Sequence, residues 1–107
     1  MPRLRRAQVT GPSMAPTLRH GDQVLVLLGR SARAARPGAV VVVRLPDQTL
    51  SVKRLARFTD DGRVWIEGDN PFGSTDSRSL GPLPPEAVQG RVLVRIWPRP
   101  GYIGSSP

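Results

Sequence analysis

The sequence predicts a mainly β fold, a single compact domain of about six short strands with one short helical turn. Two observations lead there. Twelve prolines and 11 glycines interrupt the 107-residue chain too often for long helices. The apolar runs are short, Val24–Leu28 and Ala39–Val43 being the longest, and turn-forming Pro-Gly, Pro-Asp and Asp-Gly pairs separate the strand candidates. A chain of this length supports one modest core and no second domain.

Residues 1–7 are basic and read as a loosely held arm, followed by a short strand over Gln8–Thr10 that ends at Gly11-Pro12. A turn carries Ser13–Leu18, and His20-Gly21-Asp22 turns again into a strand over Gln23–Leu28, apolar enough to be covered on both faces. Arg30–Arg36 is a basic loop. Pro37-Gly38 leads into a buried strand over Ala39–Leu45, and Pro46-Asp47-Gln48 turns the chain into Thr49–Phe58. Asp60-Asp61-Gly62 marks a hairpin completed by Arg63–Glu67, with Val64 and Ile66 alternating. Gly68–Gly81 reads as a loop without secondary structure, long enough to imply that it serves a site. One helical turn over Pro84–Gln89, ended by Gly90, precedes a last strand over Arg91–Trp97 and a Pro/Gly/Ser tail over 98–107.

The chain has no cysteine and one histidine, which removes disulfides, thiolate chemistry and multi-histidine metal centres, so no metal or cofactor is expected. A net charge of +8 invites a nucleic-acid reading. Of the 16 basic residues, however, Lys53 is the single lysine. An ammonium can lose its proton when desolvated and act as a base, whereas a guanidinium cannot, so Lys53 is a candidate functional residue; an ordinary surface lysine is the plain alternative.

Three segments hold residues that a core does not need: Gly11–Leu18, Val52-Lys53-Arg54 and Gly68–Gly81. Ser13-Met14-Ala15-Pro16-Thr17-Leu18, with Gly21-Asp22 after it, resembles the nucleophile box of type I signal peptidases; Ser51-Val52-Lys53-Arg54 resembles their lysine box. Gly68-Asp69-Asn70, Ser74-Thr75-Asp76-Ser77-Arg78, Gly81 and Pro84 are similar to their third box. The three stand in the family's order. The resemblance implies the β fold shared with LexA-like self-cleaving repressors and a serine endopeptidase using a Ser-Lys dyad. The repressors lack the proline-threonine of the first box and the whole third box.

Under that resemblance Ser13 is the nucleophile, Lys53 its base, and Ser74 the hydroxyl that bonds the amine. A lysine of ordinary pKa ~10.4 is neutral in about 1 in 2,500 molecules at pH 7, so burial must depress it. The Ser13 N–H is the expected oxyanion donor, helped at Gly11, where many family members carry a serine whose hydroxyl this chain lacks. His20 is the rival base in a Ser-His-Asp arrangement, disfavoured by its place in an exposed Gly-Asp turn. Arg54, Asp69, Asn70, Asp76 and Arg78 are read as supports tying the third box to the lysine strand. Val9, Met14, Leu18 and Val52 are expected either to bound a small apolar pocket for the substrate or to be core.

Only a hairpin's length separates Lys53 from Gly68, and no apolar stretch long enough for a signal or a membrane span is present. The chain therefore reads as soluble and cytoplasmic, with peripheral membrane contact an option. This minimal form most resembles the nickel-type superoxide dismutase maturation proteases. The expected partner is a precursor protein with an extended N-terminal segment, such as that enzyme's precursor, and no nucleic acid. The alternatives are a general signal peptidase without its anchor and a LexA-like basic module associated with nucleic acid.

Overall fold

The computed structural model describes residues 3–29 and 34–103. The strands are β1 (Arg3–Gln8), β2 (Gln23–Leu28), β3 (Val40–Arg44), β4 (Leu50–Phe58), β5 (Val64–Glu67), β6 (Val88–Trp97) and β7 (Gly101–Tyr102), with a one-turn helix α1 (Ser77–Leu80) between β5 and β6. They form one antiparallel sheet in the order β1-β2-β6-β3-β4-β5, and β7 folds back on β6. The hairpin expected at Asp60-Asp61-Gly62 is present, with Thr59 N donating to Arg63 O across it.

Two core clusters lie against the sheet. Val41, Val43, Leu55, Val64, Ile66 and Val88 build one, and Val9, Met14, Leu18, Val24, Val26 and Val92 the other. On β2 it is Val24 and Val26 that are buried while their neighbours are partly exposed, so the strand is not covered on both faces as expected.

Several boundaries move. Arg3–Ala7 is no loose arm: with Gln8 it forms β1, paired to β2 from Arg3↔Leu28 to Gln8↔Gln23, and Val9–Thr10 lies beyond the strand. Its side chains are almost all exposed, so it is held by backbone ladder bonds and not by an apolar face. The segment 68–81 contains α1, capped by the Asp76 carboxylate accepting from Arg78 N. The expected helical turn shrinks to a 3₁₀ turn over Pro85–Ala87, and Gly90 lies inside β6. A Cβ on Gly90 would stand 2.6 Å from Val26 Cγ1 and 2.9 Å from Leu28 Cδ2, so the close approach of β2 demands a glycine there. The tail carries β7. The loop expected over Arg30–Arg36 and the ends of the arm and tail fall partly outside the described residues.

The sheet curls. Pairing carries a row from Arg3 through Leu28, Gly90 and Val42 to Val52, yet Thr10 and Ser51 line one cavity. Closing β1 towards β4 thus offsets the two strands by several residues, the stagger that a rolled sheet requires. Two edges face each other across the gap: β1 ends the sheet, and Leu50–Lys53 of β4 precedes the stretch paired with β5.

Candidate active site

The loop between β1 and β2 brings Ser13 to the gap, and β4 brings Lys53. Both line a cavity of about 270 Å³, together with Thr10, Gly11, Ser51, Gly73 and Thr75 among others. Ser13 is half-buried and Lys53 is 2% exposed. Burial pushes the Lys53 ammonium below its ordinary value of 10.5; the Asp76 carboxylate opposes the shift and the Arg78 guanidinium adds to it.

The third segment is built around the Ser13 loop. Asn70 N donates to Ser13 O (2.9 Å), Asn70 Nδ2 donates to Pro12 O (3.1 Å), and Ser74 Oγ lies 3.1 Å from Ser13 O and 2.7 Å from Asn70 O. The Ser74 hydroxyl is therefore engaged with two carbonyls, and not with the lysine amine expected for it. Its proton is drawn to these carbonyls because they are the fixed acceptors that the tight Gly68–Asn70 path brings within reach.

Arg54 and Asp69 join in a close pair (2.6 Å), Arg54 also donates to Gly38 O, and Thr17 Oγ1 donates to the same carboxylate at 2.5 Å. Burial works to raise the Asp69 carboxyl, but the bonds from Arg54 and Thr17 outweigh it and hold the group below 3.8. One carboxylate thus links the Ser13 loop, the third segment and the strand that carries Lys53. Asp76 is 1% exposed and accepts from Gly68 N, Arg78 N and the Arg78 guanidinium; burial again opposes, and these bonds again win, leaving its carboxyl low. The Asp76–Arg78 pair does not reach across to β4 as expected. It closes the third segment on itself, with Arg78 also donating to Gly68 O (3.0 Å), because the two side chains sit two residues apart at the start of α1.

Gly11 departs from its expected role. Its N–H donates to His20 Nδ1 (2.9 Å), and its φ of +79° is one that a serine would adopt only under strain. His20 is thereby occupied as an acceptor for the loop. Met14 and Leu18, both 0% exposed, lie in the core with Val24 and Val26 and anchor the loop from beneath; Val9 joins them. Of the four residues expected at the pocket, Val52 lines the adjoining cavity of about 250 Å³, with Ala7, Gln8, Thr10 and Leu50. Thr17 belongs to the quoted motif without an assigned role, and Thr10 and Ser51 fall in the two stretches, Gln8–Thr10 and Thr49–Val52, that the sequence offers as edges for an extended substrate.

Lys53→Met tests the burial. A depressed pKa means that the unfolded chain binds more protons between the folded and unfolded values, so the contribution of Lys53 to stability rises with pH across that window. At neutral pH the buried ammonium is a cost, so Lys53→Met is expected to be neutral or stabilising by about 1–2 kcal/mol. A marked fall in melting temperature would mean that the charge is favourably held.

A curled antiparallel sheet with a loop serine and a buried lysine lining one cavity has the architecture of a signal peptidase-like protease. The comparisons agree: the Peptidase S24-like profile matches residues 4–92, and the chain belongs to that family. It is 36% identical over 122 residues to the mitochondrial ATP-independent inner membrane protease subunit 1a of Arabidopsis thaliana, covering 91% of this chain and 72% of that one. It is 34% identical over 125 residues to the mitochondrial inner membrane protease subunit 1 of Schizosaccharomyces pombe (95% and 80% covered), and 33% identical over 122 residues to that of Homo sapiens (92% and 74%). Among the described residues no helix is long and apolar enough to cross a membrane.

Proposed function

We propose that the protein is a Ser-Lys endopeptidase that removes an extended N-terminal segment from a precursor protein. The observation that carries this reading is the shared cavity, which a half-buried serine and the chain's single, desolvated lysine both line. In the reaction the neutral Lys53 amine takes the proton of Ser13 Oγ as the oxygen attacks the scissile carbonyl. The resulting ammonium then protonates the leaving amine, and water repeats the cycle to release the acyl group. The Ser13 N–H serves as oxyanion donor. Ser74 acts chiefly through the Ser13 carbonyl, fixing the loop.

The substrate chain lies in the gap between the edges of β1 and β4, an addition of one strand with small side chains favoured beside Val52. The relatives are named as inner membrane proteases, which supports precursor processing and peripheral contact with a membrane. The nickel-type superoxide dismutase precursor expected from the resemblance gains no support from these names. Both classes can be tested together: purified protein is mixed with a detergent-solubilised precursor bearing a membrane-sorting segment and, separately, with the superoxide dismutase precursor. Release of a defined N-terminal fragment from either, seen by mass and absent with Ser13→Ala, supports the reading. Cleavage of neither sinks it.

A further inference from the structure

The cavity that Ser13 and Lys53 line extends to the turn between β3 and β4, where Asp47 and Thr49 line it too. Among the described residues that line it, Lys53 and Asp47 are the charged ones and none is an arginine, although the chain as a whole carries +8. Asp47 is exposed, and one of its oxygens is fixed: Thr49 N (3.0 Å) and Thr49 Oγ1 (2.6 Å) both donate to Oδ1. These bonds hold the carboxyl below its ordinary 3.8, so it is ionised at neutral pH. Among the described residues no group donates to its Oδ2 and no cation pairs with it; Arg44, on the same hairpin, donates to Gln48 O (3.3 Å) instead. The turn itself is held by Gln48 N donating to Leu45 O (2.8 Å) and Leu45 N to Thr49 O (2.9 Å), and it keeps Gln48 at a φ of +75° that residues other than glycine rarely adopt. Capping the turn takes one carboxylate oxygen and leaves the other spare.

We propose that Asp47 determines specificity: its carboxylate receives an arginine or lysine side chain of the substrate about four residues from the scissile bond and so sets the register of the cut. The inference rests on the Ser13–Lys53 reading for where that bond lies. The spacing follows from the strand. From Thr49, whose N–H and hydroxyl position the carboxylate, to Lys53 the chain advances about 13 Å at ~3.3 Å per residue, and an extended substrate covers that distance in about four residues. The charge follows from the lining. A chain at +8 repels cationic peptides overall, so a fixed anion in the cavity is a local exception that favours an arginine and opposes a glutamate.

The test uses end-blocked peptides of about ten alanines and serines, long enough to span the cavity when extended, with one Arg, Gln or Glu placed at each position in turn. Ser13→Ala protein holds them without cutting, and fluorescence anisotropy reads Kd; wild-type protein cuts them, and mass reads the position of the cut. At interior positions Arg should bind about threefold more tightly than Gln, the size of one exposed ion pair, and Glu more weakly than either. As the Arg is moved along the peptide, the cut should move with it at a spacing of about four residues. Asp47→Asn keeps an oxygen for Thr49, and with it the turn, and should abolish both the Arg preference and the fixed spacing; Asp47→Lys should make Glu the preferred residue. Equal affinity for Arg and Gln at every position overturns the proposal, and so does a preference or spacing that survives in Asp47→Asn. The two readings separate cleanly. An Arg preference that depends on Asp47, with wild-type protein cutting none of the peptides, upholds the charge site and overturns the dyad; cutting that is indifferent to Arg and to Asp47 does the reverse.

Discussion

Ser13→Ala and Lys53→Arg are each expected to reduce peptide cleavage by at least about a thousandfold, and the double variant to be no worse than either single one. Residues that act as one unit in a proton transfer lose their whole effect when either is removed. Arginine keeps the charge and much of the bulk at position 53 but cannot become a neutral base near neutral pH. Activity retained in Lys53→Arg would therefore remove lysine from the mechanism. If Lys53 is the base, activity of the wild type should rise with pH as its amine loses its proton, with a midpoint below its ordinary 10.5 because burial lowers it. His20→Ala is expected to keep most activity, since among the described residues the ring supports the loop through the exposed bond from Gly11 N.

Gly68→Ala should be nearly as damaging, although residue 68 carries no reacting group. A Cβ there would stand 1.7 Å from Ser74 Oγ, 2.7 Å from Ser74 Cβ and 2.6 Å from the Ser13 carbonyl oxygen. The serine hydroxyl could swing away. The carbonyl belongs to the backbone of the Ser13 loop and is held by Asn70 N, so relief requires the loop itself to move. A shift of even about 1 Å in the attacking group costs on the order of a hundredfold in rate, and the overpacking should lower stability by about 1–3 kcal/mol. Adding Ser74→Gly to Gly68→Ala should restore part of the stability and little of the rate, because the clash with Ser13 O remains. Full recovery of activity in the double variant would show that the loop's position is not what Gly68 protects.

The parts of the fold that the sequence made legible are those where local chemistry and tertiary structure agree. Alternating Val64 and Ile66 and the Asp-Gly turn mark β4–β5, and the Pro-Gly and Pro-Asp turns bracket β3. β1 was not legible, because an edge strand that exposes its side chains has no reason to alternate, and its arginines read as solvated arm. β6 begins earlier than expected because Gly90 looks like a helix stop in sequence, whereas it is a contact point for β2 in space. At the site, contiguous motifs gave the candidate dyad and its supports. The bonds that organise them, Thr17 to Asp69 and Asn70 to Pro12, span more than 50 residues, and their pairing became visible only when the chain was folded.

The open edge of β1 has a consequence for the protein in solution. An unpaired strand offers its backbone N–H and C=O groups to any extended chain, including the same edge of another copy. Arg3, Arg5 and Arg6 set like charges against each other when two such edges approach. That repulsion is electrostatic and fades as the screening length falls from about 10 Å at 0.1 M salt to about 3 Å at 1 M. Self-association should accordingly increase with ionic strength, and concentrated stocks should remain monodisperse in dilute buffer.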